Sequence, residues 1–218
     1  MGSTDAFHGL GALRIEWRVR VMGSDGAALG ERLVRHVSAA ASGDRERLEF
    51  DDGRVYVRLH GEVQAERNGM PWPTLEVAAR KELELFSLQA SMPWCLVDPA
   101  RFVAGAAPCV AAGTGTLAFS RIPRPAKDEI GPPKEAARGS TVLLIVEAAS
   151  GTLREVVLAA DLPSARRQVV FEDWRPWNGL SFPFRRTWLD AEGRPATVLE
   201  IVEIEAGVTA TDRDFRLR

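Results

Sequence analysis

The sequence predicts a mainly β protein of the α+β class, with one large antiparallel sheet covered on its dry face by one or two helices. Three observations lead there. Apolar and polar residues alternate with period 2 through most of the 218 residues, the mark of strands with one dry and one wet side. The stretch "PTLEVAARKELELFSLQ" (73–89) breaks this pattern and follows a 3.6-residue period. The order is strands, then helices, then strands, without the βαβ alternation that builds a parallel sheet.

The first strand is "LRIEWRVRV", with Leu13, Ile15, Trp17, Val19 and Val21 on one face and Arg14, Glu16, Arg18 and Arg20 on the other. "ERLVRHV" (31–37) reads as the second. "RERLEF" and "RVYVRLHG" flank Asp51-Asp52-Gly53, a hairpin signal. There Val55, Val57 and Leu59 point one way and Arg54, Tyr56, Arg58 and His60 the other. Residues 74–89 are expected to form the main helix, with Thr74 as N-cap and Leu75, Ala78, Ala79, Leu83 and Phe86 on its apolar side. A shorter helix is expected in "DPARFVAG", where Asp98 caps and Pro99 takes the first helical position.

Strands resume at "GTLAFSRI" (115–122). The segment 123–139, with four prolines and dense mixed charge, reads as a flexible loop. "TVLLIVEAASGTLREVVLA" is a hairpin around Ala149-Ser150-Gly151. About four more strands follow, with turns at Asn178-Gly179, at "AEGR" and at "EAG" (205–207). Roughly ten residues per strand makes them about 33 Å long. The whole chain, 1–218, is expected to form one domain.

Bulk properties exclude several functions. Apolar content of 45%, charged content of 27% and a net charge of −2 describe an ordinary globular chain. They supply no electrostatic drive toward nucleic acid. No apolar run reaches the roughly 18 residues of a membrane-spanning helix. The start, "MGSTDAFHGLGALRIEW", has no basic region followed by an apolar one, so no secretory signal is visible. Cys95 and Cys109, 14 positions apart, either close a loop worth roughly 3 kcal/mol or remain two thiols.

The chemistry of catalysis is missing. "GLGALR" and "GTGTLA" lack the third glycine of a dinucleotide site and read as turns. His8, His36 and His60 are far apart in sequence, and no spacing points to a metal. His60 shares its strand face with arginines and reads as solvated. Glu16, Glu31, Glu46 and Glu49 are expected to neutralise the stripe of Arg14, Arg18, Arg20, Arg54 and Arg58. No nucleophile stands with a base, so no enzyme, metal or cofactor is expected. Six tryptophans and nine phenylalanines are more informative, since each covered ring buries on the order of 150–250 Å². A wide sheet bent over helices is expected to line an apolar space with such rings.

The C-terminal third resembles a known family. "FEDWRPWNGLSFPFRRTW" and "GRPATVLEIVEIEAGVTATDRDFRL" are similar to the end of LolA/LolB-like proteins, the outer-membrane lipoprotein-sorting-like group. The features are Phe171, Asp173, Trp174, Arg175, Asn178-Gly179, Leu180 and Pro183, then Ile201, Ile204, Asp212 and Phe215. "LLIVEAASGTLREVVL" resembles the preceding hairpin of that family. The match is good over roughly 140–218 and rests elsewhere on the order of elements.

The resemblance implies an unclosed antiparallel half-barrel wrapped over helices, with an apolar cavity between them. It also implies a periplasmic location, with an export signal outside this chain. The expected function is a carrier or binding protein for an acyl chain, a lipid or another apolar ligand. An envelope lipoprotein or membrane protein is the expected partner. Trp17, Val19, Phe86, Phe119, Leu144, Val156, Trp174, Phe184 and Trp188 are the expected lining, and helix 74–89 the lid. The alternative is a protein-interaction module of the cell envelope that holds no ligand.

Overall fold

The alternation that opens the sequence produces the strands it predicts. In β1 (Ala12–Met22) the residues Leu13, Ile15, Trp17 and Val19 are buried while the arginines between them face outward. The structure, a computed structural model, describes residues 4–39, 44–97, 102–104, 110–113, 116–123, 141–147, 149–150, 152–159 and 167–217. A short helix α1 (Thr4–His8) precedes β1. A meander follows through β2 (Ala28–Ala39), β3 (Arg45–Phe50), β4 (Arg54–Leu59), β5 (Glu62–Arg67) and β6 (Met70–Pro71). Helices α2 (Glu76–Ser91) and α3 (Trp94–Val97) come next. The second meander holds β7 (Phe102–Ala104), β8 (Val110–Gly113), β9 (Thr116–Pro123), β10 (Thr141–Glu147) and β11 (Leu153–Ala159). It ends in β12 (Arg167–Trp177), β13 (Leu180–Leu189) and β14 (Pro195–Ala206).

All pairs are antiparallel, and among the described residues the fourteen strands form one sheet in the order β6-β5-β4-β3-β2-β1-β14-β13-β12-β11-β10-β9-β7, with β8 beside β9. The two ends of this path do not pair with each other among the described residues, so the half-barrel stays open. Its centre is the pairing of the first long strand with the last, from Leu13 opposite Ala206 to Val21 opposite Thr197. The turn at Asn178-Gly179 takes positive φ at both residues, 46° and 73°, as a two-residue hairpin of this hand requires. Its strands are long, with 11 residues in β12 and 10 in β13.

Helix α2 packs on the inner face of β3, β4 and β5. Ala79, Leu83, Phe86, Gln89 and Ala90 form its buried side. The inner face carries two apolar clusters. One gathers Trp17, Phe86, Trp94 and Phe182, and the other Leu144, Val156, Val169 and Phe171. The outer face of the central strands is laced with ion pairs, including Arg14 with Glu205 at 2.7 Å and Arg20 with Glu31 at 2.7 Å. Of the acids expected to neutralise the arginine stripe, Glu31 pairs with Arg18 and Arg20 and Glu46 with Arg58, whereas Glu49 pairs with Arg35 and Arg47. Glu200 and Glu205 serve Arg18, Arg20 and Arg14, and Asp52 serves Arg54.

Several expectations need correction. The main helix starts two residues late: Pro73–Leu75 form a 3-10 turn, Thr74 lies inside it, and Leu75 caps the α-helix without a side-chain bond. Ala78 is exposed. Of the helix expected in "DPARFVAG", Phe102–Ala104 is instead a strand, held by β9 through Val103 opposite Ile122, and the expected cap at Asp98 and Pro99 lies outside the described residues. The short helix lies earlier, at Trp94–Val97.

In β4 the face bearing Arg54, Tyr56 and Arg58 turns inward, because Leu48 of the inner face is opposite Tyr56. Val57 on the other side is buried as well, beneath the C-terminal segment that ends the chain. That segment explains the last difference. After Gly207 the chain forms a 3-10 turn, Asp212–Phe215, rather than another strand. Its Phe215 is buried, and a Thr211–Asp214 capping box holds its start.

Candidate functional site

The inner face of the second meander is organised in cross-strand rows. In one row Phe119 is the register partner of Leu144, Leu144 of Val156, Val156 of Val169, and Val169 of Trp188. In the next, Phe171 is opposite Arg186, Arg186 opposite Leu199, and Leu199 opposite Val19. Trp17 lies one step further, opposite Ile201. Side chains in such rows sit close enough to pack.

The nine expected lining residues fall as follows. Trp17, Val19 and Phe86 are buried in the first cluster, and Phe184 packs against it half-buried. Leu144 and Val156 are buried in the second cluster, and Trp174 packs against it half-buried. Trp188 touches both clusters and joins them. Phe119 is placed by its pairing with Leu144. Trp174 is the outlier in register, since it pairs with Pro183 rather than with a member of the two rows. Phe86 brings α2 to the site, its ring 6.1 Å from Trp17 in an edge-on contact. Phe7 of α1 stacks on Trp94 at 4.7 Å, and Trp94 lies 4.7 Å from Phe182. Cys95 is buried in the second cluster, and Cys109 falls outside the described residues, as does the loop segment 124–140.

This face also carries charge, which the apolar reading of the sequence missed. Glu46 is fully buried on β3, with Arg58 at 3.3 Å and His36 at 3.5 Å. Arg32 of β2 reaches the helix, where its Nη2 donates to Glu82 at 3.1 Å. Arg186 is different. It is fully buried in β13, and its guanidinium carbon lies 4.9 Å from the Trp17 ring centre and 5.5 Å from that of Phe182. None of its three nitrogens meets an acceptor among the described residues. Burial pushes its pKa down to about 9, with no opposing charge among the described residues to hold it up.

A signal for Arg186 exists in the sequence. In "LSFPFRRTWL" it falls in phase with Leu180, Phe182, Phe184 and Trp188, so alternation alone puts an arginine on the dry face. Glu46 is in phase with Leu48 and Phe50 in the same way. Histidine 60, by contrast, sits in a turn with φ 51° and is largely exposed, 3.6 Å from Asp212.

No group of His, Cys, Asp and Glu suited to a metal occurs among the described residues. None of their helices is long and apolar enough to cross a membrane. On the outer side, a groove of about 1180 Å³ runs between the central strands and residues 208–217, lined by charged residues such as Arg14, Arg35, Glu203 and Arg213.

No family model and no curated protein matches the sequence. Solved structures do match the fold. An outer membrane lipoprotein-sorting protein domain from Vibrio parahaemolyticus aligns with a TM-score of 0.58 at 13% identity, over 97% of this chain and 92% of that one. A LolA superfamily protein from Nitrosomonas europaea aligns at 0.59 and 10% identity, over 98% and 95%. The fold is LolA-like. A DUF1329 family protein from Desulfovibrio piger shares it, with a TM-score of 0.55 at 12% identity over 100% of both chains. At such identities the likeness concerns the LolA-like fold, and activity has to be argued from the site.

Proposed function

We propose that this chain is a binding or carrier protein of the bacterial periplasm that shields an acyl chain, or another apolar ligand, between α2 and the inner face of the half-barrel. The observation that carries this reading is the row Leu144, Val156, Val169, Trp188 and its neighbour Phe171, an apolar track crossing four strands. The structure is closed, with Trp17, Phe86 and Val156 packed. A ligand therefore enters by displacing α2, whose hold on the sheet includes Ala79, Leu83, Phe86, Gln89, Ala90 and the Arg32–Glu82 pair. Each methylene taken out of water contributes about 0.8 kcal/mol.

A binding role also fits the buried titratable groups better than catalysis does. Glu46 is engaged with Arg58 and His36 rather than facing a nucleophile. Native mass spectrometry after gentle purification, followed by titration with a fluorescent fatty acid, tests the reading. Co-purifying mass or saturable brightening is expected. A protein that emerges empty and leaves the probe dark removes the carrier reading.

The outer groove favours a second reading, an envelope interaction module without a bound ligand. Its charged walls and the C-terminal segment would then meet a lipoprotein or membrane protein. Charge reversal at Arg35 and Arg213 should weaken capture of such a partner while leaving fatty-acid titration unchanged.

A further inference from the structure

Arg186 poses a physical problem that the apolar reading leaves open. A buried guanidinium with no counter-charge is costly. The other fully buried charge on this face is treated in the ordinary way, with Glu46 set between Arg58 and His36. Among the described residues Arg186 meets ring faces, those of Trp17 and Phe182. These attract a cation, but they leave its hydrogens unmet. The indole nitrogens of its two tryptophan neighbours do not help, because they are donors too. Trp17 Nε1 and Trp188 Nε1 are buried without an acceptor among the described residues, as are Arg186 Nε, Nη1 and Nη2. Trp188 is two residues from Arg186 on the same face of β13, and Trp17 lies beneath its guanidinium. An unmet buried guanidinium flanked by two unmet indole N–H groups, with a positive charge at its centre, is matched by one class of group: an oxyanion. The planar fork of a guanidinium suits a carboxylate or a phosphate in particular.

The apolar track begins where this cluster ends. Trp188 heads the row Val169, Val156, Leu144 and Phe119, about 19 Å long at a strand spacing of about 4.8 Å. We infer that Arg186, with the indole N–H groups of Trp17 and Trp188, binds the acidic head of an amphiphile whose tail lies along this row. The inference rests on the binding reading above and narrows it: the ligand is a single-headed acid, with a carboxylate or a phosphate, rather than a neutral hydrocarbon. Arg186 then acts as the ligand's counter-charge, and the closed form holds the guanidinium ready between two rings.

The test is calorimetric titration of the full chain near neutral pH with three probes of equal tail length: dodecanoate, dodecyl phosphate and dodecanol. Acetate and inorganic phosphate are titrated beside them. The acids should bind about ten-fold or more tightly than the alcohol, and the tail-free anions should bind far more weakly than either acid. Arg186→Met should bring the acids down to the alcohol's affinity without weakening the alcohol, and Arg186→Lys should keep part of the preference. A merely structural arginine would shift the melting temperature in these variants and leave the acid-to-alcohol ratio alone. Equal affinity for acid and alcohol in the parent chain overturns the role of Arg186 while leaving an apolar site in place. Failure of all three tailed probes overturns both readings. Inorganic phosphate binding as tightly as dodecyl phosphate overturns the tail and leaves a free-anion site. Should Arg186→Met not fold, the probe comparison on the parent chain still decides.

Discussion

The guanidinium of Arg186 lies 4.9 Å from the ring centre of Trp17, so a charge on β13 and an indole on β1 are coupled across the intervening strand β14. Trp17→Leu should therefore act twice. It should cost about 3–5 kcal/mol by loss of a fully buried ring, and it should weaken acid binding through the bereft cation. Urea denaturation reads the first effect and probe titration the second. A variant that loses stability but keeps its full acid preference would separate the two residues.

Arg186 also sets a stability-versus-pH behaviour opposite to that of a paired base. Its folded pKa of about 9 lies below its ordinary value, so the unfolded chain holds the proton more firmly. The penalty for folding with the charge buried is present in full below pH 9 and fades as pH rises through the alkaline range above it. The difference in unfolding free energy between Arg186→Met and the parent, read from urea denaturation, should be largest near neutrality, favouring the variant by about 1–4 kcal/mol, and should shrink as pH climbs. A bound acid should reverse this slope in the parent.

Glu46 lies between two groups, Arg58 at 3.3 Å and His36 at 3.5 Å. Glu46→Ala should cost about 3–5 kcal/mol, because it strips a buried pair of its negative partner. Replacing Glu46 and Arg58 together by Leu and Met should recover much of that loss. Chemical denaturation of both single variants and the double variant checks the coupling.

The alternation was legible wherever one face was plainly dry. In β1 every apolar position of Leu13 to Val19 is buried, and Asn178-Gly179 marked the turn between β12 and β13. It was illegible in β4, where Val55, Val57 and Leu59 alternate with Arg54, Tyr56 and Arg58. Both faces there are covered, one by α2 and the other by the chain end around Phe215, and the more polar face won the interior. The Asp98-Pro99 signal suggested a helix, yet Phe102–Ala104 is recruited by β9, a partner more than ten residues away that no local preference reveals. The aromatic part of the site could be read from composition. Its charged part required placing Arg186 and Glu46 in phase with their apolar neighbours.

Two glycines should rank by what surrounds them. Gly53 and Gly179 both hold positive φ, 81° and 73°, a conformation costing an L-residue roughly 1–2 kcal/mol. An added Cβ at Gly179 meets nothing within 4 Å, whereas at Gly53 it runs into the Asn68 side chain. Gly53→Ala should be the more destabilising of the two by thermal melting.

The seam between β1 and β14 joins the two ends of the chain, with Arg14 bonded to Glu205 across 191 positions. Neither meander can finish its sheet alone, since each leaves an edge that only the other satisfies. The amino-terminal half must therefore wait, with the β14 side of β1 unpaired, until Pro195–Ala206 has been synthesised. Such long-range closure makes folding slow, and a chain cut before β14 leaves the β1 edge open to pairing with other strands.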